Sequence, residues 1–116
     1  MMNILNEPSL DNAALAALKE ATEEMFPEII AVYLEDTPKR LALLQMAFDK
    51  NDIKAIQEEA HCLKGSSSNI GVLKLSKIFG EIERLSKNGT ITNQNEYIQH
   101  AFSEFGHIQK SLIDFT

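Results

Sequence analysis

Between Ala60 and Gly71 the chain reads AHCLKGSSSNIG, a stretch with one histidine, one lysine and a run of small residues from Gly65 to Ser68. An imidazole has an ordinary pKa of about 6.5, so much of it is neutral near pH 7 and its free ring nitrogen is a usable nucleophile. Proteins use such a group for covalent transfer. Lys64 follows His61 by one helical turn, where its ammonium can reach the oxygens of a phosphoryl group attached to the ring. Phosphoryl transfer passes through a loose transition state in which catalysis is mainly positioning and electrostatics. A histidine and a lysine therefore suffice when a partner brings the rest. Gly65 costs a helix interior roughly 1 kcal/mol relative to alanine, which calls for a reason such as close approach of another backbone. Ser66, Ser67 and Ser68 extend that low relief.

A helix from Ile53 to about Ile70 must carry these groups. Its apolar seam is Ile53, Ile56, Ala60, Leu63, Ser67 and Ile70, spaced 3, 4, 3, 4, 3 as in a bundle. His61 falls beside this seam, and Gln57, Lys64, Gly65 and Ser68 gather around it on an outward face, where Gln57, Gly65 and Ser68 are candidate partner contacts. Gly71 suits a left-handed helix end, and a short turn through Val72 leads into a fifth helix that stops at Asn88-Gly89. In such a hairpin, residues equally distant from the turn lie level with one another. The midpoint of 61 and 83 is 72, so Glu83 is expected level with His61, at the border of a stripe of Leu75, Ile78, Ile82 and Leu85. An acceptor there would hold Nδ1 and leave Nε2 exposed as the attacking nitrogen.

The remaining segments also read as helices, because apolar residues recur at steps of three and four. Leu10 to Ala21 opens with Asp11 as N-cap, and Met25 to Asp36 carries Phe26, Ile29, Ile30, Tyr33 and Leu34. Thr37-Pro38 reads as an N-cap and first helical position, so the chain is expected to break there and restart as a third helix to about Lys50. Asp52 is a cap for the fourth helix, and the last is expected to begin near Asn93 with Glu96 completing a capping box. Its inner residues are read as Tyr97, Ala101, Phe102, Phe105, Ile108 and Leu112, with Gly106 as a weak point. Tyr33 and the phenylalanines at 26, 48, 102 and 105 are assigned to packing, and Cys62 to a partly buried site. His100 and His107 lack the context of His61 and are taken as structural or solvent-exposed. The whole reads as an all-α bundle with extra N-terminal helix packing.

Composition narrows the functional classes. A chain of 116 residues, 44% hydrophobic and 24% charged, is expected to be one folded domain over 1–116. Net charge is -6 with basic residues scattered singly, which argues against nucleic-acid binding. The lone Cys62 has no internal disulfide partner, and no Cys/His cluster has zinc-ligand spacing. A calcium loop at Asp49-Lys50-Asn51 fails because Ile53 and Ala60 stand at ligand positions. No metal site is expected. The start MMNILNEPSL lacks a basic region ahead of an apolar one, and no apolar run nears the roughly 18 residues of a membrane span. A cytoplasmic location without membrane insertion is expected, and the sequon Asn88-Gly89-Thr90 is read as a helix stop.

His61, Leu63, Lys64, Gly65, Ser67 and Gly71 match H-x-L-K-G-x-S-x-x-x-G, with Ala60 before and Leu75 after, and the chain here resembles the histidine-containing phosphotransfer (HPt) domains. The resemblance extends to Leu10-Asp11, to Tyr33 through Pro38, to Asp52 and to Ile82-Glu83. It implies an up-down antiparallel four-helix bundle with additional short N-terminal helices. It further implies a relay carrier, not an autokinase, whose exposed histidine takes a phosphoryl group from a receiver-domain aspartate and passes it to another receiver. By the same resemblance Lys64 assists the phosphohistidine, Gly65 clears space and Glu83 bonds the ring. No intrinsic cofactor is implied, since magnesium would belong to the acidic pocket of the receiver. The expected partners are receivers of response regulators or hybrid kinases, and a monomer is expected because the apolar stripes can be consumed within one bundle. Two rivals stand beside this reading. A kinase dimerisation and phosphoacceptor domain commonly has an acidic residue and then a proline after its histidine, where Cys62 and Ser66 stand here. A helical adaptor would bind receivers without carrying phosphate, and the presence of both His61 and Lys64 argues against it.

Overall fold

The computed structural model describes residues 2–89 and 94–116, and every regular element among them is helical. In chain order these are α1 (Met2–Leu5), α2 (Asn12–Thr22), a 3-10 turn (Glu23–Met25), α3 (Phe26–Asp49), α4 (Ile53–Ile70), α5 (Leu73–Lys87) and α6 (Gln94–Phe115). The capping box expected at Asn93 lies outside the described residues. Helices α3 to α6 form the bundle, each packed on the next in an up-down sequence and α6 returning against α3. The short α1 and α2 lie outside this ring, as additions at its N-terminal side.

The largest departure from expectation is in α3, which runs without a break through Thr37-Pro38. A proline in a helix interior removes one backbone donor and costs about 3 kcal/mol. Burial outweighs that cost here. Ile30, Tyr33, Thr37, Leu41, Leu44 and Phe48 form one continuous buried stripe at helical spacing, and Pro38 points to solvent beside it. Thr37 is not a cap. It is buried, and its hydroxyl donates to the Tyr33 carbonyl at 2.6 Å, the back-bonding of a mid-helix threonine.

Where α4 meets α5, local chemistry and tertiary packing agree. The Asp52 carboxylate accepts from the Ala55 amide at 3.1 Å and starts α4, and Gly71 ends it at φ 94. That positive φ disfavours any side chain at position 71, and the space there is tight as well. A Cβ at that position would meet Cβ of Ala14 at 3.3 Å and the Asp11 carbonyl oxygen at 3.4 Å. The Asp11 amide in turn donates to the Gly71 carbonyl at 2.8 Å, while the Asp11 side chain caps α2 by accepting from Ala14 at 3.0 Å. Thus α2 grips the turn of the α4 and α5 hairpin, and the register of that hairpin is fixed from outside as well as by its own core.

In α6 the buried stripe is Ile98, Ala101, Phe105, Ile108 and Leu112. Phe102 is one position off this stripe and is exposed, contrary to its assignment to the core, and Cys62 on α4 is likewise exposed and not partly buried. Both residues adjoin a core position, Ala101 and Leu63 respectively, and a step of about 100° carries the neighbour out to solvent. Asn88 and Gly89 do end α5, Gly89 at φ 70.

Candidate functional site

Helix α4 buries Ile56, Ala60, Leu63, Ser67 and Ile70, and the 100° step of the helix carries His61 out beside that row. Its side chain is 67% exposed, whereas that of Glu83 on α5 is only 5% exposed. The two meet across the hairpin, with His61 Nδ1 at 2.6 Å from Glu83 Oε2. Glu83 lies inside the packed stripe and not at its border. Phe79, Ile82 and Ser86 are buried around it while Leu85 is only partly so, which turns the inner face of α5 toward residue 83.

Three cationic or hydrogen-bonding groups surround this buried carboxylate. Lys64 Nζ is 2.7 Å from Oε1, and Lys87 Nζ, one turn along α5, is 3.5 Å from Oε2. Burial works to raise the Glu83 carboxyl, but the hydrogen bonds from Lys64 and His61 outweigh it and hold the group below the usual carboxylate range. An ionised carboxylate only accepts hydrogen bonds. The proton of a neutral His61 therefore sits on Nδ1, and the Nε2 lone pair is left for chemistry.

The surroundings are open and of low relief. Gln57, Glu58, His61, Glu83 and Lys87 line a shallow cleft of about 250 Å³. Gly65 is exposed, and a Cβ added to it would meet nothing within 4 Å. Thus, of the residues nominated from the sequence, His61, Lys64, Glu83 and Gln57 come together, and Gly65 adjoins them as empty space one turn from the histidine. Ser68 is exposed on the same helix but does not line the cleft. Among the described residues, no group of three or more His, Cys, Asp or Glu side chains is placed to hold a metal ion, and no helix is long and apolar enough to cross a membrane.

Two contributors went unnoticed in the sequence. Lys87 could have been found as the i+4 cation of Glu83. Gly80 was signalled by the same symmetry that nominated Glu83, because the midpoint of 64 and 80 is also 72. The stem of Lys64 lies over this glycine, where a Cβ would be 3.4 Å from Lys64 Cδ. A Cβ there would be in ordinary van der Waals contact with the lysine stem.

A third polar contact ties α4 to α3. The hydroxyls of Tyr33 and Ser67 are 2.8 Å apart and both residues are buried, so the serine in the apolar seam is satisfied there. Burial pushes the Tyr33 phenol up to about 12, against the lowering by its bond to Ser67.

Comparison with known proteins identifies the family. The phosphorelay intermediate protein rdeA of Dictyostelium discoideum is 28% identical over 105 residues, covering 90% of this chain, and the multistep phosphorelay regulator 1 of Schizosaccharomyces pombe is 31% identical over 72 residues, covering 62%. The chain spans 41% of the length of the first and 23% of the second. The crystal structure of histidine-containing phosphotransfer protein B from Pseudomonas aeruginosa PAO1 superposes with a TM-score of 0.88 at 29% identity, covering 92% of this chain and 93% of that one. Residues 28–114, which include α4, α5 and all but the extreme ends of α3 and α6, and with them the hairpin that holds His61 against Glu83, match the model of the Hpt domain, and the chain belongs to that family.

Proposed function

We propose that this protein is a phosphorelay carrier in two-component signalling, which accepts a phosphoryl group on His61 from a receiver-domain aspartate and passes it to another receiver. The observation that carries this reading is the Glu83 contact to Nδ1, which fixes the tautomer and leaves Nε2 free on an exposed face. In the forward step the Nε2 lone pair forms the bond to phosphorus as the bond from phosphorus to the aspartyl oxygen breaks, and the aspartate departs as its carboxylate. No proton has to move. The ring keeps its Nδ1 proton and gains positive charge, which the Glu83 carboxylate at 2.6 Å stabilises. Lys64 then offsets the charge of the phosphoryl oxygens, and the bare surface at Gly65 lets the partner approach. Gln57 and Ser68 lie on the α4 surface that would face the partner.

In this reading the protein supplies an acceptor nitrogen and a cation but does not phosphorylate itself from a nucleotide. Magnesium sits in the acidic pocket of the receiver, no cofactor is intrinsic, and the carrier works in the cytoplasm as a monomer. The test is incubation with a phosphorylated receiver domain. Acid-labile, base-stable label is expected on wild type and none on His61→Gln, with helical circular dichroism retained. A protein that binds receivers with no transfer to His61 would instead be an adaptor.

A further inference from the structure

Glu83 has more cations than one charge requires. Lys64 holds Oε1 at 2.7 Å, and Lys87 waits at 3.5 Å from Oε2, the oxygen already engaged by His61. The two lysines differ in placement. Lys64 reaches the carboxylate across α4 and α5 and is on the histidine's own helix, one turn away, whereas Lys87 approaches along α5 and is 57% exposed. In the resting protein Lys64 is thus occupied by Glu83, and it cannot serve a phosphoryl group without giving up that contact. Giving it up would leave a carboxylate that is 5% exposed with only the phosphorylated ring as its cation, beside a newly arrived dianion. Glu58, on the rim of the same cleft, adds a further negative charge, and Gln57 is neutral.

We propose that Lys87 is a positioning residue for phosphoryl transfer: it takes over Glu83 when Lys64 turns to the phosphohistidine, so that the buried carboxylate keeps a lysine in addition to the charged ring. This rests on the carrier reading above. The charges support it. Glu83 and Glu58 with Lys64 and Lys87 sum to zero, and a phosphoryl group of charge about -2 on a ring that gains +1 brings this to about -1, whereas without Lys87 it would be about -2. Lys87 acts through Glu83 and need not touch phosphorus.

The test uses phosphoramidate as donor, so that no receiver contact enters. The bond from Nε2 to phosphorus forms as the phosphorus to nitrogen bond breaks and ammonia leaves. Lys87→Gln is expected to slow labelling of His61 roughly two- to fivefold, the effect of losing one exposed ion pair, with Lys87→Arg restoring it. The same substitution in a Glu83→Gln background should change the rate little. An equal loss in both backgrounds would mean that Lys87 acts on the phosphoryl group directly, and no loss in the first would mean that it has no part; either overturns the proposal. A melting cycle reads the shared carboxylate with no phosphate present. Lys64→Gln with Lys87→Gln should lower the Tm by more than the two single changes added, and Glu83→Gln should remove that excess. Additive shifts overturn the sharing. If neither phosphoramidate nor any phosphorylated receiver labels His61, the carrier reading fails and the handover with it, while the melting cycle still reports whether the two lysines share Glu83.

Discussion

Helix α4 makes polar attachments on both flanks, and apart from the surface ion pair of Arg40 with Glu59 at 3.3 Å, which also bridges it to α3, the two sets are built on opposite terms. Toward α3 the Ser67 and Tyr33 hydroxyls meet in the core, both neutral and both sealed from solvent. Toward α5 the partner is a buried carboxylate, and the groups that reach it, His61, Lys64 and Lys87, are half-buried or exposed. A neutral pair of hydroxyls fixes the distance between two helices and offers nothing to a ligand. A charge at the edge of the core is different, because it can orient a reactive ring and exchange partners without disturbing the packing beneath it. The same helix therefore separates the work of holding the bundle from the work of presenting His61.

The charged flank is where substitution should affect chemistry most. Glu83→Ala removes the acceptor for Nδ1 and frees the ring, and phosphoryl uptake by His61 is expected to slow roughly ten- to a hundredfold, by analogy with the loss of the carboxylate that orients a metal-bound histidine. Glu83→Gln keeps an acceptor oxygen and should lose less. Uptake rates for Glu83→Ala equal to wild type would mean that the ring needs no orientation. A pH series adds a sign. Because the folded carboxyl lies below the ordinary carboxylate value, its contribution to stability is full above about pH 4.3 and is lost as the pH falls through the depressed value. Acid should therefore lower the Tm of wild type more steeply than that of Glu83→Gln, and parallel curves would contradict the assigned ionisation.

On the neutral flank the expected effect is on stability alone. Tyr33→Phe leaves the Ser67 hydroxyl buried without its partner and should cost about 1 kcal/mol in thermal or urea unfolding. Ser67→Ala strands the phenol in the same way, and the double substitution should cost less than the two together because both polar groups are then gone. His61 should be labelled at the wild-type rate in all three. A slowed rate would show that the two flanks are coupled through α4.

The sequence disclosed these flanks unequally. Residues matched by hairpin symmetry were legible, since the turn at Gly71 and Val72 sets the level of Glu83 against His61 with no knowledge of helix rotation. Rotation itself was not legible. It depends on how Phe79 and Ser86 pack, and it decides that Glu83 is inside the stripe. The break expected at Thr37-Pro38 followed local rules correctly, but a stripe from Ile30 to Phe48 buried against three other helices overrides one missing hydrogen bond. Phe102 and Cys62 show the same limit on a smaller scale, because residue type does not say which side of a seam a neighbour takes.

The outward face of α4 between the two flanks gives the smallest effect and the cleanest separation of stability from function. Gly65 has helical backbone and open space where a Cβ would stand, so nothing in the folded chain requires glycine there. Gly65→Ala should stabilise the protein by up to about 1 kcal/mol, through helix propensity and a less flexible unfolded chain. That is a rise in Tm of a few degrees. Uptake from phosphoramidate, which needs no docking, should stay at the wild-type rate, whereas uptake from a receiver should fall, and more so with Gly65→Leu. A variant that is more stable, equally reactive toward the small donor and slower with the protein donor would assign the glycine to the partner. Equal receiver rates across the series would leave the helix carrying a destabilising residue with no docking role to account for it.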